Sequence, residues 1–156
     1  FGHVLEGSDR TTGRPVSSLS ALWEEFDAAA TPDLGRVPGE HRSEFVGPLW
    51  LRLPAPIFLA VRGMPFWAGK RFEPPVGGVA HGVNVLRVRG FTKDALPVTA
   101  RLEGRDLVIR YPPSAAWPWP GVVDRLRARD ERTLLGMTFG LPLMPPKGAP
   151  FLLHKV

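Results

Sequence analysis

Asp124, His81, Asn84, Arg71 and Tyr111 are the side chains of this chain whose types and neighbours point to chemistry. Asp124 follows Val122 and Val123 and precedes Leu126, a setting that turns a carboxylate inward, beside Arg42 or Arg71. A buried Asp–Arg pair either fixes the closure of a sheet or offers a polar anchor to a ligand head group. His81 stands near Asn84 in an alternating run, and a polar pair lining a cavity can bind a carbonyl or move a proton. A histidine on the surface is the alternative. Should the chain catalyse a reaction, His81 and Asp124 are the first acid/base candidates. Tyr111, the single tyrosine, precedes Trp117-Pro118-Trp119, a stiff loop fit to be a lid, a portal or a core anchor. Lys70 and Arg71 follow Phe66 and Trp67: either these cations meet an anionic head group, or they reach outward while the rings pack inside.

Other chemistries lack their residues. There is no cysteine, which removes disulfides, thiolate metal sites and cysteine nucleophiles. His3, His41, His81 and His154 show no paired spacing, so no metal site is expected. Ser114 sits in Pro-Pro-Ser-Ala, outside any nucleophile elbow, and Gly77-Gly78 reads as a turn rather than a phosphate loop. No cofactor is expected. The formal net charge is +5, but the basic residues are scattered and accompany no recognition motif. Nucleic acid is therefore disfavoured as a partner, while an anionic membrane surface stays open. Richness in Arg, Ala, Gly and Pro suggests a bacterial coding bias. The chain begins FGHVLEGSDR, with no basic region ahead of an apolar one, and the expected location is cytoplasmic.

The elements that must position these groups are short. With 156 residues, 18 Pro and 17 Gly, the chain fits one mainly β domain with many turns. Residues 1–16 read as a flexible arm and 17–156 as the domain. A helix is expected over 17–30, capped by Ser17 or Ser20, with Leu19, Leu22, Trp23 and Phe26 on one stripe. Strands follow at 41–46 and 79–89. Two hairpins, 98–111 around Glu103-Gly104-Arg105 and 122–139 around Arg129-Asp130-Glu131-Arg132, precede a last strand at 151–156. Between the first two strands lies an aromatic segment, Phe45 to Phe72, broken by Pro48, Pro54, Pro56 and Pro65. Its prolines deny it a long helix or a central strand, and its rings must be buried against something. The order predicts a small antiparallel meander barrel or half-barrel with one N-terminal helix, since closure removes edges.

Three stretches carry a family resemblance: Ala21 to Ala29 leading to Gly39-Glu40-His41-Arg42-Ser43; Trp67-Ala68-Gly69-Lys70-Arg71-Phe72; and Val123 to Met137, followed by Phe151-Leu152-Leu153. They are similar to the GXWXG-type family of small bacterial and fungal proteins with a following domain of unknown function. The resemblance covers most of residues 20–156 and implies a lipocalin-like barrel, one end of which the motif's Trp plugs. It implies no particular reaction. His41 and Ser43 stand here in place of the motif's Trp and second Gly.

Three readings follow. One is a binding or carrier protein for a small hydrophobic molecule or lipid. Its cavity walls would be Trp50, Phe58, Phe66, Trp67, Tyr111, Trp117 and Trp119, and its polar anchors Arg71, His81, Asn84 and Asp124. A second is an isomerase or cyclase acting on a hydrophobic metabolite in the same barrel. A third is an interaction module that docks the 45–72 segment on a protein, a second copy or a membrane surface.

Overall fold

The computed structural model describes residues 18–156, and the arm expected over 1–16 lies outside the described residues. The first element is helix α1 (Leu19–Ala28). Its N-cap is Ser18, neither Ser17 nor Ser20: the Ser18 hydroxyl accepts from the Ala21 N–H. The expected stripe is real, with Leu22 and Phe26 buried against Leu135, Met137 and Leu152.

Eight antiparallel strands, paired in chain order, close into a barrel: β1 (Gly39–Phe45), β2 (Trp67–Phe72), β3 (Val79–Val88), β4 (Phe91–Glu103), β5 (Asp106–Arg110), β6 (Val123–Ala128), β7 (Thr133–Phe139) and β8 (Ala149–Lys155). β1 pairs with β8 from His41↔Lys155 to Phe45↔Phe151, so the barrel is complete rather than half-open. Both hairpins form as the turn residues require. Glu103↔Asp106 closes the first over Gly104, whose φ of 60° suits glycine. β7 and β8 are buried on both faces: Leu134 and Leu153 point into the barrel, while Leu135, Met137 and Leu152 carry α1 on the outside. Arg127 fastens that helix by donating to the carbonyls of Phe26 and Asp27 at its C-terminal end, where the helix dipole favours a cation.

Three features depart from expectation. The aromatic segment, expected to hold no central strand, ends in β2, which pairs with both β1 and β3; its last proline, Pro65, precedes the strand and so removes no ladder donor. β4 runs for 13 residues, well beyond the 98–102 segment that reads as strand. Pro97 is tolerated because the ladder to β3 shifts between Val83 and Val85, opposite Asp94–Pro97, and a bulge there needs no donor from the ring nitrogen. The aromatic segment also holds two short helices, α2 (Leu49–Arg52) and α3 (Ala55–Val61), so the domain has more than its N-terminal helix. Pro54 sits just before α3, where a missing N–H costs nothing. Both helices lie over the end of the barrel where β1 leaves and β2 enters, with Leu51 and Leu59 buried beneath them.

Candidate functional site

Below α2 and α3 the barrel interior holds a cavity of about 60 Å³. Phe45, Phe58, Met64, Trp67, Trp119 and Phe151 form much of its apolar wall. Phe151 meets the Trp67 ring nearly edge-on at 6.0 Å, and Phe45 tilts against the same ring at 5.6 Å. At one side of this wall lie four polar side chains: Lys70, Tyr111, Asp124 and Thr138.

Lys70 is the centre of that cluster. Its side chain is 1% exposed, yet its Nζ donates to Asn84 Oδ1 at 2.7 Å and Tyr111 Oη at 3.1 Å, and stands 3.5 Å from Asp124 Oδ2. The Trp67 and Tyr111 rings lie 5.5 Å and 5.2 Å from the ammonium, within cation–π range. Asp124 uses its other oxygen to accept from Thr138 Oγ1 at 2.7 Å. Asn84 also accepts from Trp67 Nε1 at 3.0 Å and donates Nδ2 to the Leu96 carbonyl at 2.9 Å. Burial pulls the Lys70 ammonium below its ordinary range, against the opposing pull of Asp124. Burial, reinforced by the Asp124 charge, pushes the Tyr111 phenol well above its ordinary value.

Two bulges build the cluster. In a regular strand Trp67 and Lys70, three residues apart, would face opposite sides of the sheet. The β2–β3 register shifts between Trp67 and Gly69, so β2 carries one extra residue there and both side chains reach the same Asn84 oxygen. Gly69 suits the bulge, because a Cβ there would lie 1.9 Å from the His41 carbonyl oxygen. The bulge on β4 takes Leu96 out of the ladder register, and its carbonyl is the one that Asn84 uses.

Set against the sequence-based candidates, the cavity gathers Phe58, Trp67, Tyr111, Trp119 and Asp124, with Asn84 directly behind Lys70. Asp124 points inward as its neighbours imply, but its cationic partner is Lys70 rather than Arg42 or Arg71. Arg71 lies on the outer face and pairs with Asp94 at 2.7 Å. His81 is exposed: it is an odd number of positions from Asn84 along β3, so strand alternation places it on the opposite face. It cannot serve the cavity as an acid or base. Trp50 and Phe66 are exposed on the outside of the cap and its trailing loop. The Trp117-Pro118-Trp119 loop divides its roles. Trp119 is the core anchor, packing on Tyr111 at 4.9 Å and donating Nε1 to the Arg62 carbonyl at the end of α3. Trp117 stays outside with the Arg62 guanidinium over its ring. Lys70, read from the sequence with Arg71 as a head-group or outward-reaching cation, instead points inward to Asp124; sequence reasoning missed Thr138. Thr138 carried a signal, since it pairs directly with Asp124 across the second hairpin.

The opposite end of the barrel has a wider cavity of about 360 Å³. Several of its charged groups are already paired, Arg36 with Glu131 and Arg129 with Glu25. His41 is buried at this end, edge-on to Phe72, with its Nε2 2.8 Å from the Val37 carbonyl; burial lowers its pKa below the usual imidazole value. Among the described residues no three His, Asp or Glu side chains gather as a metal-binding group. The smaller cavity, with its buried polar cluster in an apolar wall, has the features of a ligand site.

No known family model matches the chain, and no curated protein does. Among solved structures, the crystal structure of a protein from Thermomonospora curvata superimposes with a TM-score of 0.64, covering 90% of this chain and 88% of that one at 15% identity. At that identity the likeness establishes a shared barrel fold.

Proposed function

We propose that the barrel binds a small, mainly apolar molecule carrying a single carbonyl or hydroxyl head group. The observation that carries this reading is the Lys70–Tyr111–Asp124–Thr138 cluster buried at the side of a mainly apolar cavity that Arg52 also borders. Tyr111 Oη accepts from Lys70, which leaves its own proton to donate to a carbonyl oxygen. Asp124 can accept from a hydroxyl. The size of about 60 Å³ favours a short ligand, because drug-sized ligands occupy pockets of roughly 300–1,000 Å³. A benzene ring, which fills a cavity of about 150 Å³, or a long acyl chain requires α2 and α3 to move aside.

The tryptophans make the test direct. In an ¹H–¹⁵N spectrum titrated with benzyl alcohol, the indole N–H signals of Trp67 and Trp119 shift, while those of Trp23, Trp50 and Trp117 stay. Movement of Trp50 or Trp117 alone would place binding on the surface and defeat the proposal.

A second reading, docking on an anionic membrane surface, is favoured by the outer face of the cap. Leu49, Trp50, Leu53, Ile57, Val61 and Phe66 are each between 54% and 72% exposed, and the half-exposed Arg62 guanidinium lies beside them over the Trp117 ring. None of the described helices is long and apolar enough to cross a membrane, so this contact would be interfacial. Flotation with phosphatidylcholine vesicles containing phosphatidylglycerol should carry the protein, and Trp50→Ser with Ile57→Ser should abolish it. Equal flotation without phosphatidylglycerol removes the anionic component; a dimer by light scattering with no flotation replaces the membrane by a second copy.

A further inference from the structure

From the position of Lys70 we infer that the cavity captures aldehydes or ketones covalently, as an imine on Nζ. The inference rests on the binding reading above and names the class of ligand.

Three features of the site fit this step. First, Lys70 belongs to the cavity lining although it is 1% exposed, so the approach to its amine is from the cavity side. A lysine placed there to hold a fold together would be more simply replaced by an apolar residue, since buried ion pairs contribute little net stability. Second, Asp124 Oδ2, 3.5 Å away, is the carboxylate paired with the ammonium, and a shift of a few tenths of an ångström brings it within reach to take a proton and hand it back. Third, Tyr111 Oη at 3.1 Å from Nζ can donate to the carbonyl oxygen of a substrate whose carbon approaches that nitrogen.

The step balances without a cofactor. The ammonium passes one proton to the Asp124 carboxylate, and the neutral amine adds its electron pair to the carbonyl carbon. An N–H proton moves to the former carbonyl oxygen, giving a carbinolamine. Asp124 returns its proton to that hydroxyl, the C–O bond breaks, and water leaves. A ketone or aldehyde and an ammonium thus become a protonated imine and one water. The cavity begins and ends with one cation beside one carboxylate, so no uncompensated charge is created in an apolar setting. The Trp67 and Tyr111 rings that face the ammonium face the iminium equally.

Benzaldehyde tests this on the unaltered chain. The protein is incubated with it near neutral pH, reduced with sodium cyanoborohydride, and mapped by peptide mass spectrometry. Lys93 and Lys147 are exposed and serve as internal controls. Lys70 should take up the benzyl group at least about tenfold faster than either, as positioned reactants do, and benzyl alcohol should suppress that labelling alone. Labelling of Lys93 and Lys147 with Lys70 untouched, while benzyl alcohol still shifts the Trp67 indole, overturns the imine and leaves the binding reading intact. Absence of both effects overturns both. Because no substitution is involved, the result does not depend on a variant folding.

Discussion

Lys70 and Asp124 each satisfy a charge that the barrel interior would otherwise reject. Asp124→Asn leaves an ammonium buried among Trp67, Tyr111 and Asn84, and should cost about 3–5 kcal/mol of stability, read as a fall in the urea midpoint. The pH dependence carries a definite sign. Lys70's native pKa lies below the ordinary 10.5, so between the two values the unfolded chain holds a proton that the native chain has released. Stability therefore rises with pH across that window. Asp124 holds the lower edge of the window up; without it the window opens at lower pH, and Asp124→Asn should regain more stability between pH ~7 and ~9.5 than the unaltered protein does. The comparison stays below the ordinary tyrosine range because Tyr111, raised well above 10.0, loses its contribution as pH climbs further. Adding Lys70→Met to Asp124→Asn should recover much of the lost stability, since the unpaired charge is then gone. These residues were unequally legible. The apolar neighbours of Asp124 are enough to turn it inward. Lys70 and Arg71 are adjacent cations, and nothing in their types says which one enters the barrel; the bulge that decides it depends on a register against β3 that only the folded sheet supplies.

Strands β7 and β8 meet around a close ring-on-glycine contact. Gly136 pairs with Phe151, and a Cβ on Gly136 would lie 2.4 Å from the tip of that ring. Phe151 in turn forms cavity wall and supports Trp67. Gly136→Ala should therefore force the ring from its place, costing about 1–3 kcal/mol and weakening the benzyl alcohol shift of the Trp67 indole. Gly121→Ala is the control: nothing lies within 4 Å of its added methyl, and its thermal midpoint should hardly move. The same pattern recurs where the Phe72 ring covers Gly82 across β2 and β3. At this scale the hairpins were readable because their turn residues are local signals, and α1 was readable from its stripe. The early half of β4 was not, since Lys93, Asp94 and Pro97 contradict strand composition and are accommodated by a bulge and by the outer surface. The prolines between Phe45 and Phe72 excluded a long helix there but not the doubly paired β2, which begins after Pro65; the two short helices come from packing Leu51 and Leu59 onto the barrel end, which no local periodicity encodes.

The whole molecule divides into a continuously paired barrel and a cap held by few contacts. Closure between β1 and β8 gives every strand two neighbours, so barrel amides open mainly by global unfolding. The cap has only Leu51 and Leu59 buried in its two helices, with the Trp119 indole bonded to the Arg62 carbonyl at its end. Short helices with one buried residue each are marginal alone and open at low cost. That difference supplies a route into a cavity whose other walls are strands and the connections that hold Met64, Trp119, Val122, Leu141 and Met144. Hydrogen exchange followed by mass spectrometry should show amides of α2 and α3 exchanging at least about a hundredfold faster than those of β5–β7. Saturating benzyl alcohol should slow the cap amides, because the ligand fills the space that the cap must close over, and a ligand bound only to the closed form stabilises it by mass action. Barrel amides should change less, since their opening already exposes the whole interior. Uniform protection of cap and barrel in the free protein would mean that the cap unfolds only with the rest, and ligand entry would then have to pass between side chains at the cavity rim without helix movement.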